Sequence, residues 1–419
     1  MALQDSSVDV LVLGAGIVGI CAALQLQRRG LSVVIIDRRG AAEETSYGNA
    51  GLIQREGVYP YGFPHDFGAL LRYGLNRTID AHYHPSALPK LVPFLWTYWH
   101  HSRPRRHAGI AKVYSKLIEH CLIDHLELAR ESNAEGFFRP TGWIKVFRTE
   151  RERDIRFEEA RRWKGEFGLD YATLDAEALR EAEPHLAPVL VGGLHWLEPL
   201  SVDDPQGLAL AYLARFEAQG GKLLQGNAGS LHAVGDRWRI RTGDGSVEAR
   251  HAVIALGPWS DTMTRSLGYD LPLAVKRGYH MHYRAAGHAK LNHPVLDHER
   301  GYFMVPMRRG IRLTTGAEFA MRDAIRTPVQ LGRAEPIARD LFPLAERLDA
   351  EPWMGARPCT PDMLPIVGKA PRHDNLWFSF GHAHHGLTLA PVTGRLLADM
   401  VTAGTPFTDP TPYRAERFD

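Results

Sequence analysis

Val8-Asp9-Val10-Leu11-Val12-Leu13 runs directly into Gly14-Ala15-Gly16-Ile17-Val18-Gly19, and a second apolar run, Val33-Val34-Ile35-Ile36, ends on Asp37. The first run reads as a buried strand, residues 17–29 as a helix and the second run as another strand, which makes a βαβ unit with GxGxxG at its turn. Each residue type there has a mechanical reason. Gly14 and Gly16 allow a tight turn and let backbone approach a pyrophosphate, Gly19 lets the helix pack closely on the strand, and the helix N-terminus faces the phosphates. Asp37 is placed to accept ribose hydroxyls. A GxGxxG alone is a weak signal, but here strand, glycines, helix and terminal acid arrive in register.

The chain has 419 residues and 44% hydrophobic content, more than one core usually serves, so two domains are expected. Fifty basic residues against 48 acidic ones leave a net charge of +2, which argues against nucleic acid or another polyanionic partner. Cys21, Cys121 and Cys359 are widely spaced and odd in number, fitting neither a disulfide framework nor a zinc motif; a reducing compartment is expected. The segment before the first strand lacks a basic, apolar leader pattern, and no apolar run approaches the roughly 20 residues of a membrane span. The expected location is therefore the cytoplasm.

Outward from the first unit, Thr45-Ser46-Tyr47-Gly48-Asn49-Ala50-Gly51 is a loop suited to close contact with a ligand. Residues 60–107 are rich in proline, histidine and aromatics, and Pro85, Pro89 and Pro93 are expected to break the apolar patch at 91–99 into short pieces. Residues 110–131 read as one helix, 143–147 as a strand, 150–167 as a charged helix and 192–197 as a strand. Asp203-Asp204-Pro205 opens a helix to about 219. Stretches 221–225, 238–242 and 247–256 read as a strand meander, and 302–306 with 311–315 as a hairpin about Gly310. The nucleotide-binding elements recur through the chain, so the second domain is expected to be built from insertions.

Three further segments extend the pattern: Val253-Ile254-Ala255-Leu256-Gly257-Pro258-Trp259-Ser260, the run 355–368 containing Arg357-Pro358-Cys359-Thr360-Pro361-Asp362, and Gly381-His382-Ala383-His384-His385-Gly386-Leu387-Thr388. Together with the first unit they resemble the FAD-dependent D-amino-acid oxidase superfamily, closest to the bacterial D-amino-acid dehydrogenases, with glycine oxidase and sarcosine oxidase more distant. The resemblance covers nearly the whole chain and is weakest at 56–140. It implies an α/β fold: a GR2-type, Rossmann-like FAD-binding domain from 1–55, 203–268 and 346–419, a helical and aromatic insertion at 56–135, and an antiparallel substrate domain from 136–202 and 269–345. It also implies noncovalent FAD. Gly14, Ala15, Gly16, Ile17, Val18 and Gly19 would hold the pyrophosphate, and Asp37 and Arg38 the adenosine side. Thr45, Ser46, Asn49, Ala50, Gly51, Leu52, Gly257 and Trp259 would meet the linker and flavin. Gly381, His382, His385, Gly386, Leu387 and Thr388 would supply donors near flavin N1 and O2.

For substrate, the resemblance singles out Arg357, whose guanidinium fork matches a carboxylate; the alternative is a structural pair with Asp362 or another acid. Tyr279 and Tyr302 sit on strands that roof the active site in related enzymes, although ring packing accounts for them equally. His385 is a candidate to face flavin or substrate. The histidine cluster at 382–385 lacks neighbouring cysteine or acid ligands, so no metal is expected. Cys359 falls later in its motif than the flavin-attaching cysteine of sarcosine oxidases and is expected to pack as a small apolar group.

The activity these expectations imply is oxidative deamination of a D-amino acid to a 2-oxo acid and ammonia by hydride transfer to flavin N5. Oxidation of a secondary amine acid or a 2-hydroxy acid, and a flavin-binding subunit without turnover, stand beside it. The resemblance further implies a quinone-type electron acceptor. Trp96, Tyr98 and Trp99 followed by Arg103, Arg105 and Arg106 have the composition of a peripheral contact with the inner face of the cytoplasmic membrane, or of a core helix with a solvated basic end.

Overall fold

In the computed structural model, residues 6–243 and 245–419 are described. Strand Ser6–Leu13 lies between two parallel neighbours, Val33–Asp37 on one side and Gly245–Ile254 on the other. Lys222–Gln225 extends the parallel array beyond Val33–Asp37, and Leu376–Phe380 extends it beyond the far half of Gly245–Ile254. Its central strands are buried on both faces, which is why they read as unbroken apolar runs rather than alternating ones. From Ser6–Leu13 the chain leaves to one side of the sheet first and returns later on the other. The crevice beyond the C-terminal ends of these two branches is where α/β sheets bind ligands. Helices Ile17–Arg28, Pro205–Ala218 and Gly386–Val401 pack together on one apolar cluster.

The second large sheet has eleven strands and is mostly antiparallel, centred on the long strand Ala274–Ala285. That strand pairs with Gly310–Thr315 and with Trp353–Cys359. Tyr302–Met307 and Gly310–Thr315 form the expected hairpin. Two pairings are parallel: Val295–Asp297 with Trp143–Phe147, and Ala317–Phe319 with Ala81–Tyr83. The α/β class with a nucleotide-binding sheet and a largely antiparallel second sheet is as expected.

Four local expectations are corrected. Helix Leu88–His101 runs unbroken through Pro93, because Leu91 and Tyr98 bury its inner face and tertiary packing outweighs the lost backbone bond. The single helix expected at 110–131 is two, Pro104–Ile118 and Cys121–Glu131, and apolar spacing continues across the break at Glu119 and His120, which hides it from periodicity. The meander is split. Lys222–Gln225 follows a helix and pairs with Val33–Asp37 at the opposite edge, while Arg237–Thr242 pairs with Gly245–Ile254. Finally, Trp353–Cys359 belongs to the antiparallel sheet, although 346–419 reads with the nucleotide-binding part in sequence. The insertion at 56–135 is mainly helical, but Ala81–Tyr83 joins the large sheet.

Candidate active site

The glycine turn is built by close contacts. Gly14 has φ +109°, and a Cβ there would lie 2.5 Å from the Ala255 carbonyl oxygen; a Cβ on Gly19 would lie 1.9 Å from the Gly14 carbonyl. Those two glycines join strand, helix and the neighbouring strand end. Gly16 differs, since a Cβ there would meet only Ser46 Oγ at 3.3 Å, so its backbone faces open space at the helix start. Ser46 Oγ accepts from the Ile17 N–H at 3.0 Å, tying the 45–51 loop to that helix end. Asp37 accepts from the Ala15 and Arg39 N–H groups at 2.9 Å. Beside it the Arg38 guanidinium stacks 4.3 Å from the Trp259 ring centre.

From this end a cavity of about 1260 Å³ runs between the two sheets to Arg357. That exceeds the few hundred to roughly 1,000 Å³ of ordinary small-molecule sites. Most of the expected cofactor residues line it: Gly14, Gly16, Ile17, Val18, Asp37, Arg38, Thr45, Ser46, Asn49, Ala50, Leu52, Gly257, Trp259, Gly381, His382, Gly386 and Leu387. Ala15, Gly19, Gly51, Thr388 and His385 are not on its wall. They act behind it. Thr388 Oγ1 donates to the Leu52 carbonyl at 3.1 Å and accepts from the Gln54 N–H at 3.2 Å, bracing the strand under the loop.

Arg357 carries the observation with most chemical content. Its Nη1 donates to the Gly316 carbonyl at 3.0 Å, and no carboxylate lies within 4 Å of its guanidinium among the described residues. Asp362, its alternative partner, is taken by Arg417 at 2.8 Å. The guanidinium lies flat over Gly278, where a Cβ would approach Nη2 to 2.5 Å, so glycine at 278 makes room for it. Burial pulls the Arg357 pKa below its ordinary value, yet a guanidinium stays charged. Thr45 Oγ1 donates to the Ala356 carbonyl at 2.9 Å, linking the loop to the strand that carries this arginine.

The two tyrosines differ. Both line the cavity, but the Tyr279 hydroxyl is engaged by Arg277 at 3.0 Å, Glu318 at 2.9 Å and the Thr327 N–H at 2.9 Å, which fixes it in a buried network. The Tyr302 hydroxyl is buried beside the Asp297–Arg148 ion pair without hydrogen-bond geometry to a partner. His385 is corrected as a candidate for facing the site. Its Nδ1 meets the Tyr114 hydroxyl at 2.6 Å and its ring stacks on Tyr114, away from the cavity. His382 Nε2 meets Thr393 Oγ1 at 2.9 Å. Ala383, at φ +50°, turns the chain between two histidines on the cavity wall, His382 and His384, and His384 lies 4.4 Å from the Tyr61 ring centre. Burial keeps all three imidazoles well below their ordinary pKa, hence neutral.

Sequence reasoning also missed Tyr61, Tyr98 and Lys276 as residues of the site, which line the cavity with Arg357. Tyr98 donates to the Tyr61 carbonyl at 2.6 Å and lies under the Lys276 ammonium, 3.9 Å from its ring centre. Only the pairing of distant strands brings them together. His82, His84 and Glu318 place ligand atoms within 4.8 Å of one another, but the Glu318 carboxylate is already held by Arg277 at 2.6 Å.

Residues 9–400 match the family described as FAD dependent oxidoreductase. The chain belongs to that family. It is 32% identical to a D-amino acid dehydrogenase of Methylobacterium radiotolerans, across 95% of this chain and 96% of the relative. To a D-amino-acid oxidase of Bradyrhizobium diazoefficiens it is 27% identical, across 98% of each. The glycine oxidase structure from Geobacillus kaustophilus superposes with a TM-score of 0.74 at 22% identity, covering 98% of both chains, and shows the fold is shared. As a member of this family the chain is an FAD-dependent oxidoreductase, and the site fits that cofactor. The cavity, at about 1260 Å³, is large enough for a dinucleotide and a substrate, Gly16 leaves a cradle at a helix start, and the buried Ser379 Oγ on the cavity wall has no hydrogen-bond partner among the described residues.

Proposed function

We propose that this enzyme oxidises the Cα–N bond of a D-amino acid to the imino acid, which water converts to a 2-oxo acid and ammonia. The carrying observation is Arg357, a cation in the cavity without a protein carboxylate, and the names of the two relatives above support the amino-acid assignment. The cofactor would rest along Gly14–Val18, Asp37 and Thr45–Leu52, with its ring end toward Gly381–Leu387. Bound FAD supplies a hydride acceptor. Arg357 fixes the substrate carboxylate by a bidentate pair, and the cavity wall of Tyr302, His384 and Tyr61 limits how the α-carbon lies. With neutral imidazoles around it, the site favours a neutral amine, whose lone pair forms the C=N bond as the Cα hydride departs. Positioning then supplies most of the rate.

Noncovalent attachment fits Cys359, a buried thiol whose Sγ is 3.5 Å from the Arg357 carbonyl. A quinone-type acceptor and a peripheral membrane contact complete the reading.

The test combines anaerobic bleaching of the flavin band by D- and L-amino acids, prolines and 2-hydroxy acids with Arg357→Ala. D-amino acids should bleach the wild-type band. The variant should keep its FAD and lose roughly 30- to 1,000-fold in kcat/KM, the equivalent of about 2–4 kcal/mol for a desolvated charge-assisted pair. A variant that loses FAD but keeps its affinity for the amino acid would make Arg357 structural.

A further inference from the structure

Lys276 is a second cation at the substrate end with no acidic partner. Its strand, Ala274–Ala285, runs antiparallel to Trp353–Cys359 with Lys276 directly opposite Arg357, so both side chains leave the same face of the sheet. Both line the cavity. The lysine is 8% exposed, and the contacts of its ammonium are Met363 Sδ at 3.9 Å and the faces of Tyr98 at 3.9 Å and Phe319 at 5.7 Å. A thioether and two rings leave its three donors without an oxygen acceptor, and no ion pair engages it among the described residues. The nearby buried acids are committed elsewhere: Glu318 to Arg277 and Asp362 to Arg417. Tyr61, Tyr98, Cys359 and His384 also surround this end and bring no negative charge at neutral pH.

Two like charges directly opposed on one buried face, neither neutralised by protein, repel one another and call for an anionic ligand. The two diverge along the sheet. The guanidinium leans over Gly278, whereas the ammonium sits over Tyr98 beside Met363. We propose that Arg357 and Lys276 form two anion subsites, and that the preferred substrate is an acidic D-amino acid whose α-carboxylate meets Arg357 and whose side-chain carboxylate meets Lys276. This deepens the deamination reading and rests on it. Burial and the neighbouring Arg357 lower the lysine pKa to about 8, so the ammonium form still predominates at neutral pH and an entering carboxylate would raise its pKa.

The experiment uses FAD-loaded wild type, Lys276→Met and Lys276→Arg. First, the kcat/KM values of D-glutamate and D-aspartate are compared with those of their amides, D-glutamine and D-asparagine. Second, binding of glutarate and butyrate, which do not turn over, is followed calorimetrically. Wild type should favour at least one acid over its amide, and glutarate over butyrate, by at least roughly tenfold, the loss expected for one charge-assisted bond. K276M should abolish both preferences, costing the acids and glutarate at least roughly tenfold more than the amides and butyrate at FAD content within about twofold of wild type, and K276R should restore part of the preference. Equal use of acids and amides by wild type overturns the proposal, as does a K276M variant that weakens glutarate and butyrate alike, which would place both cations on one carboxylate. If no amino acid bleaches the flavin yet glutarate still outbinds butyrate through Lys276, the deamination reading fails and the two anion subsites survive.

Discussion

At Glu56 a single carboxyl shows how the site's surroundings set stability. Its Oε1 accepts from Trp143 Nε1 at 2.8 Å and from Gln54 Nε2 at 2.9 Å, while Oε2 is buried without a partner. Burial raises its pKa to about 7, against which the two hydrogen bonds work only partly. The sign follows. A carboxyl raised in the folded state holds its proton longer there than in the unfolded chain, so stability falls as pH rises from the unfolded value, near 4.3, through about 7. The full penalty above that range is about 4 kcal/mol. Glu56→Gln keeps an acceptor for Trp143 and never ionises. It is expected to melt several degrees above wild type at pH 8 and close to it at pH 5, by thermal denaturation of the FAD-loaded proteins; the same offset at both values would contradict this. The sequence gives no sign of this residue, because its burial comes from Trp143 on a distant strand.

At the scale of elements, helix Leu88–His101 explains two readings of one aromatic patch. Leu88, Leu95 and Tyr98 line the cavity, whereas Val92 and Trp96 point outward, 55% and 66% exposed. Helix Phe67–Gly74 divides the same way: Leu70 and Tyr73 face the cavity, and Phe67 and Leu71 are exposed. Tyr98 therefore lines the cavity, and Trp96 is the ring left exposed on this helix. Arg103 stacks 4.7 Å from the Trp99 ring centre, keeping a cation beside the exposed rings. No helix among the described residues is long and apolar enough to cross a membrane. Exposed apolar faces flanked by cations suit the headgroup boundary. The protein is expected to cosediment with anionic vesicles at low salt and less at high salt, and Phe67→Ser with Trp96→Ser should weaken that binding several-fold at unchanged FAD content. Absence of binding to anionic vesicles at low salt would remove the membrane contact.

Across the whole molecule, residues of both sheets line the cavity, so a ligand filling it touches both and adds to the one apolar cluster that already joins them. FAD is then expected to act as a folding ligand. Protein stripped of flavin should melt at a lower temperature, and added FAD should raise the melting point progressively, by the equivalent of about 2.7 kcal/mol at a hundredfold excess over Kd. FMN, which lacks the adenosine that would meet Asp37, should restore much less. Scanning fluorimetry with either flavin decides this, and equal rescue by both would displace Asp37 from its proposed role.

What the sequence by itself determined is what short range governs. Apolar periodicity, glycines at a strand-to-helix turn and an acid two elements later are local, and they sufficed for the βαβ unit, while the resemblance carried by four separate segments implied the fold class and most of the residues that line the glycine-turn end of the cavity. Arg357 was legible because it stands in a recognisable motif. Tertiary structure alone decided the substrate end. Lys276 meets Arg357 only through the register of two strands far apart in the chain, and a shift of one residue would turn each of them to the opposite face. The left-handed backbone at Ala383 sends His385 toward Tyr114 and leaves His384 beside Tyr61, a choice that no spacing of histidines encodes. Side-chain direction at such places is set by packing partners from other elements, so it exists only once the chain has folded.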